Sequence, residues 1–256
     1  MVVLFVIGTA GCGKSTFTGA FSEFLEARGA KVARVNLDPA AEFLPYDPDV
    51  DVRDYVSARE VMEIYNLGPN GAIIAAADLM LDYIHFVKEE IADLDPDYAI
   101  VDTPGQMELF TFRRNGELII STLCDRESTI LYIVDGVLAQ TPSTFLSSVF
   151  LAEAVAYRFK KTQINILNKV DLLGRDEVER ILEWIDDPEK LLDDLLVETR
   201  GVDRERNQSL YVALKDFLSY LDLIPISAKT LEGLDRVYAL IQQIVMGGEE
   251  VGSSRN

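Results

Sequence analysis

Histidine is nearly missing from this 256-residue chain: His85 is the single one, and cysteine is limited to Cys12 and Cys124. Two separated cysteines do not make a disulfide framework, which points to a reducing compartment. With one histidine beside them, a soft-metal site inside one chain is short of ligands. Basic residues are scarce as well. Lys and Arg number 24 against 43 Asp and Glu, for a formal charge of −19. That balance speaks against a basic face for DNA or RNA and against docking on an anionic membrane. An acidic surface keeps a cytoplasmic protein in solution or offers a face to a partner, and composition leaves both open. Long apolar runs are absent too. The richest stretch, near residues 72–87, is interrupted by Asp78 and Asp82 and is not expected to span a bilayer. Met1-Val2-Val3-Leu4-Phe5-Val6-Ile7 carries no basic flank and runs straight into a glycine loop, so a buried first strand is expected there, not a signal peptide. No Pro/Ser/Gly-rich linker and no internal repeat divides the chain.

What is present is apolar residue in short runs, 48% of the chain in all, enough for one buried core. Runs rich in Val, Ile, Leu and Tyr suggest strands near 2–7, 31–36, 97–102, 129–134, 163–167 and 223–226. Helical patterns separate them at about 14–28, 54–66, 71–92, 107–123, 143–160, 176–197 and 230–246. The alternation implies a three-layer α/β/α domain over 1–246 with a mainly parallel sheet. Two stretches are extra to that plan, a helix pair at about 54–92 and an acidic segment at about 174–222 with a polar turn near Arg200–Gln208. Residues 247–256 are small and polar, and read as a disordered tail.

Gly8-Thr9-Ala10-Gly11-Cys12-Gly13-Lys14-Ser15 fits G-x-x-x-x-G-K-[ST] between an expected strand and an expected helix, the context a phosphate-binding P-loop requires. Gly11, Cys12 and Gly13 let backbone N–H groups turn inward, and the helix that follows adds its positive end. Lys14 supplies a mobile charge for the β- and γ-phosphates. Ser15 is placed to ligate Mg²⁺, and Thr16 sits where the α-phosphate is commonly met. A glycine-rich turn that happens to hold Lys and Ser is the bland alternative.

Tyr98-Ala99-Ile100-Val101-Asp102 ends an apolar run on a carboxylate, and Thr103-Pro104-Gly105-Gln106 follows. An acid at such a strand end holds Mg²⁺ in P-loop proteins, often through water. Gly105 can bring its N–H to a γ-phosphate, and Gln106 resembles the glutamine that orients attacking water in many GTPases. A plain turn has the same residues. Asp38-Pro39-Ala40 is a second candidate. Proline holds Asp38 extended, and the triplet resembles the Asp-Pro-Ala switch of the SIMIBI class, where the aspartate lies near the attacking water.

Asn168-Lys169-Val170-Asp171 matches the N-K-x-D element after another expected strand. The Asp171 carboxylate, expected to be buried, would accept from N1–H and the 2-amino group of guanine, and adenine has neither donor there. Asn168 would brace the loop and the Lys169 stem would lie along the base. Ser227-Ala228-Lys229 resembles the loop whose backbone N–H, here that of Ala228, meets guanine O6.

Gly68-Pro69-Asn70 has a structural explanation: Gly68 as a left-handed helix end, Pro69 as a stop, and Asn70 as the cap of a helix from Gly71. Taken with the motifs above and in their order, it also makes the whole chain resemble the GPN-loop GTPases of the SIMIBI class. That resemblance implies a GTP hydrolase forming GDP and phosphate with Mg²⁺. It implies a homodimer in which Asn70 of one subunit reaches the γ-phosphate region of the other. The expected catalytic set is Asp38, Asn70, Gln106 and Lys14, with Ser15 and Asp102 on the metal. In eukaryotes the family is associated with RNA polymerase assembly and nuclear import, so polymerase subunits are the clients it suggests. The short chain resembles the archaeal form. Two other readings stay open: a partner-binding switch that hydrolysis merely resets, and a metallochaperone-type GTPase, which a Cys/His-poor chain fits badly.

Overall fold

The computed structural model describes residues 1–124, 128–218 and 221–253. Strands β1 (Val2–Gly8), β2 (Val32–Asn36), β3 (Val50–Asp51), β4 (Tyr98–Asp102), β5 (Ser128–Asp135), β6 (Thr162–Asn168) and β7 (Leu223–Pro225) form one sheet in the order β3-β2-β4-β1-β5-β6-β7. All of its strand pairs are parallel. A parallel strand must return through a crossover, which the intervening helices supply.

Side chains alternate between two apolar layers, as a strand period of two demands. On one side Leu4, Val6, Ile100, Leu131, Ile133 and Ile166 meet Phe17, Phe21 and Leu25 of α1 (Lys14–Glu26) and Leu234, Val237 and Ile241 of α11 (Leu234–Ser253). On the other side Val3, Phe5, Ile7, Val35, Val101, Ile130 and Tyr132 meet the remaining helices. These include α2 (Ala58–Tyr65), α3 (Pro69–Leu79), α4 (Ile84–Leu94), α5 (Met107–Thr111), α6 (Arg114–Leu123) and α7 (Pro142–Phe159). The chain is thus a three-layer α/β/α P-loop domain. Among the described residues no single helix is long and apolar enough to cross a membrane. Residues 69–94 bend by 61° between their two helical parts and bury Ala76, Met80, Ile84, Val87 and Ile91 in the core.

Several elements differ from the sequence expectation. The two-residue β3 was not anticipated, being too short to show a pattern. The helix expected over 176–197 is two, α8 (Arg175–Asp186) and α9 (Pro188–Glu198), because Pro188 cannot continue the first and instead opens the second. The polar turn placed near Arg200–Gln208 is confined to Thr199–Gly201, and from Val202 the chain is a helix, α10 (Val202–Leu218). Its polar face is solvated, while Leu210 packs on the core and Asn207 donates to the Thr199 hydroxyl at 3.2 Å. Helix α11 runs to Ser253, into the stretch read as a disordered tail, and 254–256 lie outside the described residues.

The acidic stretch 174–222 shares the main core. Trp184 of α8 is 1% exposed, stacks obliquely on Phe145 of α7 at 5.3 Å, and donates from Nε1 to Asp194 Oδ2 of α9 at 2.8 Å.

Candidate nucleotide site

Strands β1, β2, β4, β5 and β6 all end on the same edge, and β1 lies where the strand order turns from one side to the other. Crevices for ligands form at such a switch point. Each of these strands ends there on a polar residue or on the glycine loop: Gly8, Asn36, Asp102, Asp135 and Asn168.

The loop from Gly8 to Lys14 is shaped by its glycines. Gly11 and Gly13 have φ of 76° and 97°, a region open to glycine and strained for other residues. A Cβ on Gly8 would meet the Ile133 carbonyl at 2.5 Å, and one on Gly13 would meet Asn168 Nδ2 at 2.5 Å. Lys14 is buried, its Nζ donating to the carbonyls of Gly8 at 3.0 Å, Thr9 at 3.1 Å and Gly105 at 3.4 Å. Cys12 is buried, and that burial pushes its thiol pKa up, keeping it neutral. Ser15 lies in the first turn of α1 and Thr16 beside it is exposed.

Asp102 ends β4 at 1% exposure. Its Oδ2 accepts from the Tyr46 hydroxyl at 3.1 Å, while Oδ1 is buried with no hydrogen-bond partner. Burial pushes its pKa up to about 6, although Ser15, Lys14 and Tyr46 pull it down; Asp38 adds a small upward push. A buried carboxylate oxygen without a partner is costly unless a cation or donor completes it. This donor set, one hard oxygen next to the Ser15 hydroxyl, suits Mg²⁺, which takes few protein ligands and keeps water and phosphate for the rest.

Asp38 is held on both oxygens. Oδ1 accepts from Ala40 N–H at 2.9 Å and Oδ2 from Gly105 N–H at 2.7 Å. The Gly105 amide, expected to be open to a γ-phosphate, is therefore engaged by Asp38. Gln106 is exposed at the start of α5, with no capping hydrogen bond from its side chain. Asp38, Gly105 and Gln106 line a cavity of about 180 Å³ together with Ala10, Ile73 and Ala77. Helix α3 thus closes the far wall of the cavity.

On the base side, Asn168 ties the phosphate loop to the loop after β7. Its Nδ2 donates to Cys12 O at 3.0 Å and its Oδ1 accepts from Ala228 N–H at 3.1 Å. That second bond corrects an expectation: the Ala228 amide is taken by Asn168, and a base oxygen would have to share it. Asp171 is exposed, not buried, and its Oδ1 accepts from the Ser227 hydroxyl at 2.7 Å. Lys169, at a left-handed φ of 70°, donates to Gly11 O at 2.6 Å and to Asp135 Oδ2 at 2.7 Å.

Four participants escaped the sequence reading. Asp135 anchors Lys169 and takes Val137 N–H at 2.9 Å. An acid closing an apolar run, as Asp102 does, was its only signal. Tyr46 reaches Asp102 from a loop with no pattern. Asp51 and Arg53 form a clamp: Arg53 pairs with Asp51 at 2.6 Å and donates to Ala41 O at 2.9 Å, and Asp51 takes Asn36 Nδ2 at 2.8 Å. Burial alone would raise the Asp51 carboxyl, but hydrogen bonds from Arg53 and Asn36 outweigh it and hold it below the usual carboxylate range.

The Gly68-Pro69-Asn70 loop does not have the capping roles its sequence allows. Asn66, at φ 51° and ψ 46°, is the left-handed end of α2. Gly68, extended at φ −74°, is instead the N-cap of α3, Pro69 opens the helix, and Asn70 lies within its first turn. All three are exposed, and a Cβ on Gly68 would touch nothing within 4 Å.

Comparison with known proteins bears on this arrangement. The family described as "Conserved hypothetical ATP binding protein" matches residues 6–247. GPN-loop GTPase PAB0955 of Pyrococcus abyssi is 36% identical over 244 residues, 94% of this chain and 95% of the relative. GPN-loop GTPase 3 of Eremothecium gossypii is 32% identical over 97% of this chain and 93% of its own length. For GPN-loop GTPase 1 of Schizosaccharomyces pombe the identity is 32%, covering 96% and 70%. The crystal structure of the Pyrococcus abyssi GTPase in its apo form superposes with a TM-score of 0.84 at 33% identity, covering 94% of this chain and 96% of that one. The family description names ATP, whereas these relatives are named GTPases.

Proposed function

This chain belongs to the GPN-loop GTPase family and is a GTP-binding hydrolase, and from that premise we propose that it works as a Mg²⁺-dependent homodimer whose Gly68-Pro69-Asn70 loops cross to the partner's site. The P-loop amides and Lys14 hold the phosphates, and Asp171 with Ser227 behind it reads the guanine edge. Ser15 and Asp102 would hold Mg²⁺, which would supply positive charge to offset that of the phosphates.

The Asp38–Gly105 hydrogen bond suggests how the triphosphate is sensed. A γ-phosphate oxygen competes for the Gly105 amide, and taking it frees Asp38 Oδ2 to accept from the attacking water. Gln106, at the mouth of the same cavity, orients that water. GDP has no γ-phosphate and leaves the pair closed. Because Ile73 and Ala77 line this cavity, exchange of the Asp38–Gly105 bond also moves α3 and the loop at its start. That coupling favours a nucleotide-controlled assembly switch, with the acidic helices α8 and α9 as the face offered to a cytoplasmic client such as a polymerase subunit. Recovery of the same clients with GDP and with a GTP analogue would remove the switch.

The observation that carries the dimer is the idleness of Asn70: an exposed amide in the first turn of α3, absent from the lining of its own cavity. A neutral amide donates to a phosphoryl oxygen without neutralising it, so turnover is slower than with an arginine. Specific GTPase activity is expected to climb with protein concentration in step with the dimer fraction seen by sedimentation, and to vanish in Lys14→Ala. Constant specific activity across the monomer–dimer transition overturns the shared site.

A further inference from the structure

The segment between Asp38-Pro39-Ala40 and β3 runs over the surface, with Glu42, Phe43, Pro45, Asp47 and Asp49 exposed. It reaches the interior through Tyr46, whose hydroxyl donates to Asp102 Oδ2 at 3.1 Å. A seat is built for the ring. Gly19 lies in α1 where a Cβ would come within 3.2 Å of Tyr46 Cβ. Glycine within a helix is destabilising relative to alanine, and the close approach of Tyr46 is the local reason for it.

The two oxygens of Asp102 are thereby made unequal. Tyr46 occupies Oδ2, and Oδ1 is left buried and unpartnered. We infer that Tyr46 is a positioning residue for the metal acid: by fixing Oδ2 it sets the carboxylate's rotation and leaves Oδ1 as the oxygen that faces the cation. The inference rests on the assignment of Mg²⁺ to Ser15 and Asp102. It also ties the loop that follows Asp38 to the metal side of the site. Partners that orient a ligating carboxylate in this way commonly contribute tenfold or more to metal affinity.

The test is the binding of a non-hydrolysable GTP analogue by calorimetry across a Mg²⁺ series, with the same titration repeated in EDTA. Three variants are compared with the parent chain: Tyr46→Phe, which removes the donor; Gly19→Ala, which displaces the ring and keeps the hydroxyl; and Asp102→Asn. The parent binds more tightly as Mg²⁺ rises, and Asp102→Asn loses that dependence. Tyr46→Phe is expected to need about tenfold more Mg²⁺ for the same gain, with the loss confined to the metal-supported part of the affinity. Gly19→Ala is expected to shift the same way, since its Cβ, 3.2 Å from Tyr46 Cβ, pushes the ring off its seat. Because it keeps the hydroxyl and moves only its place, Gly19→Ala tests positioning directly, and it decides the matter alone if Tyr46→Phe does not fold. A Mg²⁺ requirement in Tyr46→Phe or in folded Gly19→Ala equal to or below that of the parent overturns the inference. Unchanged Mg²⁺ dependence in Asp102→Asn overturns the metal assignment beneath it, a distinct result.

Discussion

At the scale of single residues, the chemistry of the site is a matter of which polar groups are left unpaired. Asp102 is the sharpest case. Its carboxyl has a folded pKa pushed up to about 6 against an ordinary 3.8, chiefly by burial. The nucleotide-free fold therefore binds this proton more tightly than the unfolded chain. The contribution to stability is fully present below about pH 4 and is lost as pH rises through 6, leaving a buried charge that costs up to about 3 kcal/mol at neutral pH. Asp102→Asn removes the charge and keeps an oxygen for Tyr46. The variant should melt higher than the parent at pH 8 without nucleotide, show little gain at pH 4, and turn over no GTP. A lower melting point at pH 8 would mean that the carboxylate is satisfied in the free protein. The sequence made Asp102, Lys14, Asp38 and Asn168 legible because their spacing from strand and glycine loop is a chemical requirement. It could not show that the Gly105 and Ala228 amides are already engaged, since a hydrogen-bond partner is chosen by the tertiary fold.

At the scale of elements, the six longer strands were readable because burial on both faces demands continuous apolar runs. What escaped were pieces whose stability comes from their neighbours. Strand β3 has two residues; α10 has a polar surface and is secured through Leu210 and Asn207. The clamp built on β3 has a role that no motif signals. Asn36 at the end of β2, Asp51 and Arg53 join into one network that grips Ala41 O, and so fixes the Asp38-Pro39-Ala40 turn between two anchors. Arg53→Ala leaves Asp51 nearly buried and without its cation. With the arginine 29% exposed, the cost is put at about 2 kcal/mol, below that of a fully buried pair. The catalytic consequence is expected in kcat, since in the proposed mechanism Asp38 acts on the attacking water and not on the ground-state nucleotide. Steady-state kinetics with KM changed more than kcat would contradict that placement. The Gly68 loop behaves in the reverse manner. A methyl at Gly68 meets nothing in its own chain, so Gly68→Ala should melt within about 0.5 kcal/mol of the parent. Its GTPase rate should nevertheless fall, because in the proposed dimer the loop must approach a partner's surface closely.

At the scale of the whole molecule, the question is whether the site is completed within one subunit or by two. The sequence resemblance implied two. The fold adds a physical reason: α3 contributes Ile73 and Ala77 to its own cavity while Asn70, at its start, stays exposed. Both a loop that swings inward in cis and a loop that crosses to a partner would slow when Asn70 is lost, so a single variant does not distinguish them. Mixing two defective proteins does. A Lys14→Ala subunit cannot use its own nucleotide but carries an intact Asn70; an Asn70→Ala subunit keeps its phosphate loop and lacks the amide. Loss of one preorganised donor typically costs about 10²-fold in turnover, so each protein alone should be nearly silent. If the loops cross, a mixed C2-like dimer has one complete site, formed by Lys14 of the second chain and Asn70 of the first. At equal amounts, random pairing places half the chains in such dimers, and roughly a quarter of the parental activity returns. If the amide acts in cis, every subunit in the mixture still lacks one of the two groups. Activity then stays at the sum of the separate proteins at every mixing ratio, and the shared site is refuted while GTP binding stands.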